Sequence, residues 1–169
     1  MKSPEAILNG TDWDRLAHAY DAASDTPRRL LELLDPTPDV QAYALAQLDA
    51  SVLHQNSLYT ATPAAALFIA GILTDPRTDV SHVSAFPWDS RRRPLRASLI
   101  EWLGRVGEGA SYGEGDEVEE FFDDDERDAV MECRAIRPQL AEAIAPFLDS
   151  TDERIRSAAA VAHGSLQCP

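Results

Sequence analysis

The chain has 169 residues and a hydrophobic content of 44%, which suits one globular domain with a substantial core. Its formal net charge of −14 opposes binding to nucleic-acid phosphate or an anionic membrane surface and favours encounter with a basic protein. No apolar run is long enough to span a bilayer, and the N-terminal segment lacks the apolar centre of a secretory signal. We therefore expect a cytoplasmic protein, and two cysteines, Cys133 and Cys168, suit a reducing compartment.

Helix-start and helix-stop signals alternate along the N-terminal half. Residues 1–9 carry no clear period and are expected to lie loosely on the surface. Apolar residues at helical spacing predict a helix over residues 12–20. The Thr-Pro pairs at 26–27 and 37–38 each place a capping hydroxyl before a proline at the first helical position. They predict two helices joined by a short turn, which is a helical hairpin.

The most apolar stretch lies near the middle of the chain. Thr62 is the expected cap and Pro63 the first residue of a helix that continues to about Leu73. This segment contains almost no polar side chain, so the helix must be covered on most sides. The segment before this helix, residues 54–60, is called the connector. It carries His54 and several other polar residues, which lie close to the predicted core.

The second half of the chain is predicted to hold three more helices. Residues 77–93 lack a useful period and are expected to form a loop, and a helix follows over 94–106 with Trp102 at one edge. Residues 107–125 are rich in glycine and acidic side chains and predict a flexible acidic loop. Two helices complete the chain, one over about 126–148 and a last one capped by Thr151.

Two distant segments, residues 33–42 and 147–157, share a pattern: an apolar helix end, an Asp-led turn and a second helix. The later copy resembles HEAT-like repeats, whose pattern is an acidic turn, an aliphatic–arginine pair and a run of alanines. That resemblance implies that Asp152 and Arg156 tie successive repeats together by hydrogen bonds. In the first copy, Gln41 stands where the arginine is expected.

The segment from Trp13 to Leu103 also resembles a group of bacterial HEAT-repeat proteins, through the shared letters HQ…Y-x-AT-P-A-A. The resemblance implies an all-α fold, a short right-handed α-α superhelix of HEAT- or armadillo-like hairpins. The acidic, Gly-rich loop at about 107–125 is then an insertion in a single domain over residues 1–169. The resemblance implies no activity.

The candidate binding residues fall in two places. His54, Gln55 and Tyr59 lie in the connector, where histidine can exchange a proton near neutral pH and tyrosine can orient a ligand. Capping of the preceding helix also explains polar residues there. In the predicted loop over 77–93, Trp88 is a candidate contact anchor, and Arg92 belongs to a basic cluster that would offset the acidic loop or meet a partner.

The residue pattern contains no catalytic signature, no cofactor motif and no metal-type spacing of His or Cys. We therefore expect a non-enzymatic protein- or peptide-binding module, adaptor or regulatory, with immunity-type neutralisation of a basic partner as one version. One alternative is a small-molecule-binding protein or enzyme with a pocket near His54 and Tyr59. Another is nucleic-acid processing like that of HEAT-like glycosylases, which the net charge opposes. The pattern assigns no oligomeric state.

Overall fold

The computed structural model describes residues 2–83, 90, 92–111 and 124–167, and the expected all-α class is confirmed for them. None of the helices in these ranges combines the length and the apolar character needed to cross a membrane. The seven α-helices, in chain order, are α1 (Pro4–Gly10), α2 (Thr26–Glu32), α3 (Pro38–Ser51), α4 (Thr62–Ile72), α5 (Leu95–Ser111), α6 (Asp124–Ile144) and α7 (Glu153–Gln167).

Two short antiparallel hairpins interrupt the helices. The first pairs β1 (Ala17–His18) with β2 (Asp21–Ala22), and the second pairs β3 (Ser81–Val83) with β4 (Arg92–Pro94). The second hairpin contacts α3 through β3 and both α5 and α7 through β4. It therefore occupies part of the segment that we predicted to be a loop, and that prediction is wrong for its strands.

The helix contacts follow two series. In the first series α4 contacts α2 and α6, and in the second α5 contacts α3 and α7. Contacts between α2 and α3, between α4 and α5, and between α6 and α7 join the two series, while α1 packs on α4. The core lies where the series meet. Its largest fully buried side chains include Leu48, Phe68, Ile69, Leu99, Ile100, Trp102 and Leu103.

The prolines begin helices as the sequence predicts, although the caps differ. The hydroxyl of Thr62 does not cap α4, because Thr62 lies inside the helix, after Ala61. It accepts a hydrogen bond from the Tyr59 N–H (2.9 Å) and donates one to the Val52 carbonyl (2.6 Å). This fully buried hydroxyl therefore fastens the connector to the end of α3.

The N-terminal predictions are wrong in two places. Residues 2–9 are not loose, because Ser3 caps α1 by accepting from the Ala6 N–H (3.2 Å), and Ile7 is buried. The helix predicted over residues 12–20 is replaced by a single 3₁₀ turn and the β1–β2 hairpin. The Ala17 N–H there donates to Thr60 Oγ1 (2.8 Å), so this segment satisfies its backbone by pairing with the connector.

Helix α5 is longer and more deeply buried than predicted. It continues to Ser111, and α6 begins at Asp124, so residues 107–111 and 124–125 of the predicted acidic loop are helical. The rest of that predicted loop, residues 112–123, lies outside the described part of the chain. Trp102 is fully buried and not at an edge. Two of the glycines that suggested flexibility, Gly107 and Gly109, serve close packing, since a Cβ on Gly109 would lie 2.9 Å from the Asn56 carbonyl oxygen.

Helices α5 and α7 pack closely and run in the same direction. A Cβ on Gly104 would lie 2.9 Å from Cα and Cβ of Ala162, and one on Gly107 would lie 3.0 Å from Leu166 Cδ2. From Gly104 to Gly107 on α5, the contacted residue on α7 moves from Ala162 to Leu166. Residue numbers therefore rise in the same direction along both helices, which makes the helices parallel. Glycine at these positions removes the side chain that would otherwise separate the two backbones.

Gly104→Ala should lower the free energy of unfolding by about 1–3 kcal/mol, because the added methyl group meets the backbone of α7. Gly164→Ala in α7 is the matched control, since nothing lies within 4 Å of the added Cβ. The control should raise stability by about 0.5–1 kcal/mol through helix propensity alone. Urea unfolding of both variants measures the contrast, and equal effects would contradict the close contact.

Candidate functional site

His54 follows α3 and is held by its last turn. His54 Nδ1 lies 3.0 Å from the Ala50 carbonyl oxygen, and because a carbonyl only accepts, Nδ1 carries the proton and donates. The side chain is half-buried, and its bond satisfies a carbonyl at the end of α3, which is a structural capping role.

Gln55 and Asn56 adopt the left-handed backbone conformation, with φ of 53° and 64°. Both side chains are exposed, so neither packs into the core beneath. The turn carries the Asn56 carbonyl down onto α5 at Gly109, where a larger residue would collide with it. The left-handed pair therefore sets how closely the connector approaches α5. Tyr59 follows it, half-buried, and burial raises the pKa of its phenol.

The β1–β2 hairpin brings residues to the connector that the sequence did not indicate. The exposed ring of Tyr20 packs edge-on against the His54 ring, with 5.8 Å between centroids. His18 Nδ1 accepts from the backbone N–H groups of Tyr20 (3.2 Å) and Asp21 (3.4 Å), so Nε2 carries the proton toward Asp25 Oδ1 at 3.1 Å. Nδ1 of His18 thus closes the hairpin, Nε2 ties it to Asp25 at the start of α2, and the cluster shows no nucleophile–base pair.

The two predicted repeat-linking residues make local hydrogen bonds. Asp152 Oδ1 accepts from the N–H groups of Arg154 (2.8 Å) and Ile155 (3.2 Å), so Asp152, and not the predicted Thr151, caps α7. Arg156 Nη1 donates to the Ser150 carbonyl (2.7 Å). Within the described residues, these bonds stay at the start of α7 and do not reach an earlier helix pair.

The buried amide of Gln41 links distant segments instead. Its Nε2 donates to the Leu33 carbonyl (3.1 Å) at the end of α2 and to the Arg77 carbonyl (3.0 Å) in the turn after α4. The Gln41 side chain is almost completely buried, which makes both bonds costly to lose. Gln41 therefore joins one helix pair to the next at the position where the resemblance led us to expect an arginine.

Arg92 lies on β4 and borders a surface groove that the sequence did not predict, whereas Trp88 lies outside the described residues. This cavity, which we call the α5–α7 groove, has a volume of about 810 Å³ and lies between β4, α5 and α7. Its apolar lining, which we call the floor, consists of three small side chains. They are the buried Ala97 and Ala158 and the exposed Val161.

The rim of the α5–α7 groove is ionic. Arg93 Nη1 lies 2.5 Å from Glu101 Oε2, so these opposite charges are paired across β4 and α5. Arg154 Nη1 donates to the Arg92 carbonyl oxygen and connects α7 to β4. The Arg93–Glu101 pair is partly exposed, so its contribution to stability is at most about 1 kcal/mol.

Two smaller pockets lie elsewhere on the surface. One of about 370 Å³ lies between α1, α2 and α4, and one of about 630 Å³ lies between α6 and α7 beside His163. Neither of these pockets nor the α5–α7 groove is lined by His54 or Tyr59. The connector residues that the sequence predicted therefore do not surround any of these cavities, and His54 packs against Tyr20 instead.

The described residues offer little for covalent or metal chemistry. Among them, no group of three or more His, Cys, Asp or Glu side chains is arranged to hold a metal ion. Cys133 is buried in α6, and this burial raises the pKa of its thiol to about 12. A thiol with that pKa stays protonated at neutral pH, so Cys133 is a core residue and not a nucleophile.

Comparison with known proteins gives no relative for this chain. No protein-family model matches it, and no curated protein or solved structure matches it either. The HEAT-like resemblance therefore stays a prediction.

Substitutions at position 55 test whether the connector has a left-handed backbone. Gln55→Gly should be more stable than Gln55→Ala by about 1 kcal/mol, because a left-handed backbone costs a residue with a Cβ roughly that much. Thermal unfolding of both variants measures the difference. The same exchange at the helical, exposed Gly164 should favour alanine. If alanine were equally stable at position 55, the connector would not be left-handed.

Proposed function

We propose that this protein is a non-enzymatic binding module that holds an extended segment of a partner protein in the α5–α7 groove. The observation that carries the proposal is the groove itself, with its apolar floor and its charged rim, on which Arg93 pairs with Glu101. Its volume falls within the range of roughly 300–1,000 Å³ that is typical of ligand sites in proteins. Apolar contact on the floor would supply affinity, and polar contact at the rim would fix register.

The proposal includes the finer architecture, a short HEAT-like superhelix of three hairpins. The two series of helix contacts and the parallel course of α5 and α7 support it, since alternate helices of such a stack run in the same direction. In this arrangement α2–α3, α4–α5 and α6–α7 are successive hairpins. The groove then lies on the side formed by the second helix of each pair, where a solenoid presents an extended binding surface.

The geometry favours binding over catalysis. At the connector, His54 Nδ1 is committed to a carbonyl and His18 to the hairpin, so neither histidine faces a nucleophile within the described residues. The alternative of a small-molecule site near His54 and Tyr59 has no support from the three cavities described above. Nucleic-acid processing is opposed by the net charge of −14.

A basic partner fits the net charge but not the α5–α7 groove. Outside the groove the acidic surface favours encounter with a basic protein, and immunity-type neutralisation would use that surface. The groove rim carries three arginines against two glutamates, so a basic segment is not favoured there. The groove and the acidic surface would therefore recognise different parts of a partner.

Val161→Glu tests the groove as a binding surface. Random peptides displayed on phage should yield binders to the wild-type protein, and their affinity for Val161→Glu should fall about tenfold or more. Val161 is exposed, so the charge enters the groove without disturbing the core. Fluorescence anisotropy with the corresponding synthetic peptides measures the change.

Met131→Glu is the matched control, because it adds the same charge at an exposed apolar residue of α6 outside the groove. Peptides that bind in the groove should have the same affinity for Met131→Glu as for the wild-type protein. Circular dichroism should show both variants folded. Selection of no peptide, or of peptides equally weakened by both variants, would overturn the proposed function.

A further inference from the structure

The α5–α7 groove gathers positive charge on a strongly acidic chain. Arg92 and Arg93 contribute from β4 and Arg154 from α7, against Glu101 and Glu153. The chain as a whole carries 29 acidic and 15 basic residues, so this local excess of arginine is opposite to the global balance. Such a reversal at the rim of a cavity is a source of specificity for charge.

The charged side chains of the rim differ in the ion pairs and hydrogen bonds that they already make. Glu101 is paired with Arg93, so its negative charge is already compensated within the groove. Arg154 donates one N–H to the Arg92 carbonyl, and Arg92 reaches the Ser81 carbonyl only at 3.5 Å, the outer limit of a hydrogen bond. Both guanidinium groups are exposed and retain donors directed away from these bonds.

From this arrangement we infer that the groove binds an acidic peptide segment, in which a carboxylate meets Arg92 and Arg154 and a neighbouring apolar side chain rests on the floor. This inference rests on the proposed function, because it names the chemistry of the segment that the groove holds. Guanidinium groups match carboxylates in geometry and form charge-assisted hydrogen bonds with them. The small floor residues Ala97 and Ala158 leave room for an aliphatic side chain beside that contact.

The acidic remainder of the chain does not prevent this binding at physiological salt. The Debye length there is about 8 Å, so exposed charges farther away than that are largely screened. The rim arginines touch the ligand directly and are screened much less. A basic segment would instead place like charges against Arg92 and Arg154, with only Glu153 left unpaired on the rim.

The test uses the full chain and the peptides selected from the random phage library. We expect these peptides to carry Asp or Glu beside an apolar residue, and replacement of that acid by its amide should weaken binding about tenfold. Arg154→Gln should cause a similar loss and should remove most of the effect of the peptide change, because the two charges act as a pair. Arg154→Glu should regain affinity for a peptide with lysine at the acidic position.

Arg156→Gln is the control, since Arg156 lies on the same helix but outside the groove. It should leave peptide affinity unchanged. Peptides that are sensitive to Val161→Glu but lack an acid, or that ignore Arg154→Gln, would overturn the acidic specificity and leave the binding module intact. Failure to select any peptide would overturn both. Displacement of the acidic peptide by a random single-stranded oligonucleotide would assign the arginines to phosphate and also overturn the inference.

Discussion

The contact between α5 and α7 at Gly104 and Gly107 is the constraint on which the rest of the structure depends. A Cβ on Gly104 would lie 2.9 Å from Cα of Ala162, and one on Gly107 would lie 3.0 Å from Leu166 Cδ2, so two helices from different parts of the chain meet with no α5 side chain between them at these positions. Helix α5 also contacts α3, α4 and α6. Its side chains are fully buried along most of its length, from Leu95 to Ala110. A change in the position of α5 would therefore be transmitted to nearly every other element.

The same contact shapes the candidate binding surface. The close approach lies toward the C-terminal ends of α5 and α7, and the groove lies toward their N-terminal ends, where β4 borders them. Ala97 and Ala158 are too small to fill the space between the helices and the strand. The groove is thus a consequence of packing small residues beside a strand, and the arginines of β4 and α7 give it charge.

Much of the helical framework follows from local chemistry that is visible in the sequence. The Thr-Pro pairs mark helix starts because proline suits the first turn, and the apolar run after Pro63 has to be a buried helix. The wrong predictions arise where distant contacts decide the local structure. Ala17 pairs with the connector instead of continuing a helix, and the glycines of α5 serve packing partners that no local pattern shows.

Part of the candidate site also follows from the sequence, and part of it depends on distant contacts. The sequence does indicate His54, Gln55 and Tyr59 as a polar cluster, and the structure adds the ring of Tyr20, which packs against His54. It could not indicate the groove, because Arg92, Ala97 and Ala158 become neighbours only when α7 packs on α5. The sequence also could not show that Asp152 and Arg156 would form local hydrogen bonds, within the first turn of α7 and with the turn that precedes it.

The central claim, that α5 holds the whole domain together, is tested most directly by native-state hydrogen exchange. Backbone amides at the middle of α5, residues 99–106, should exchange only through global unfolding, with the same free energy as urea denaturation. Amides of the exposed and strained connector at 54–57 should exchange through much smaller openings. If the α5 amides instead exchanged through an opening well below the global free energy, while α4 stayed protected, α5 would not be the element that the rest depends on.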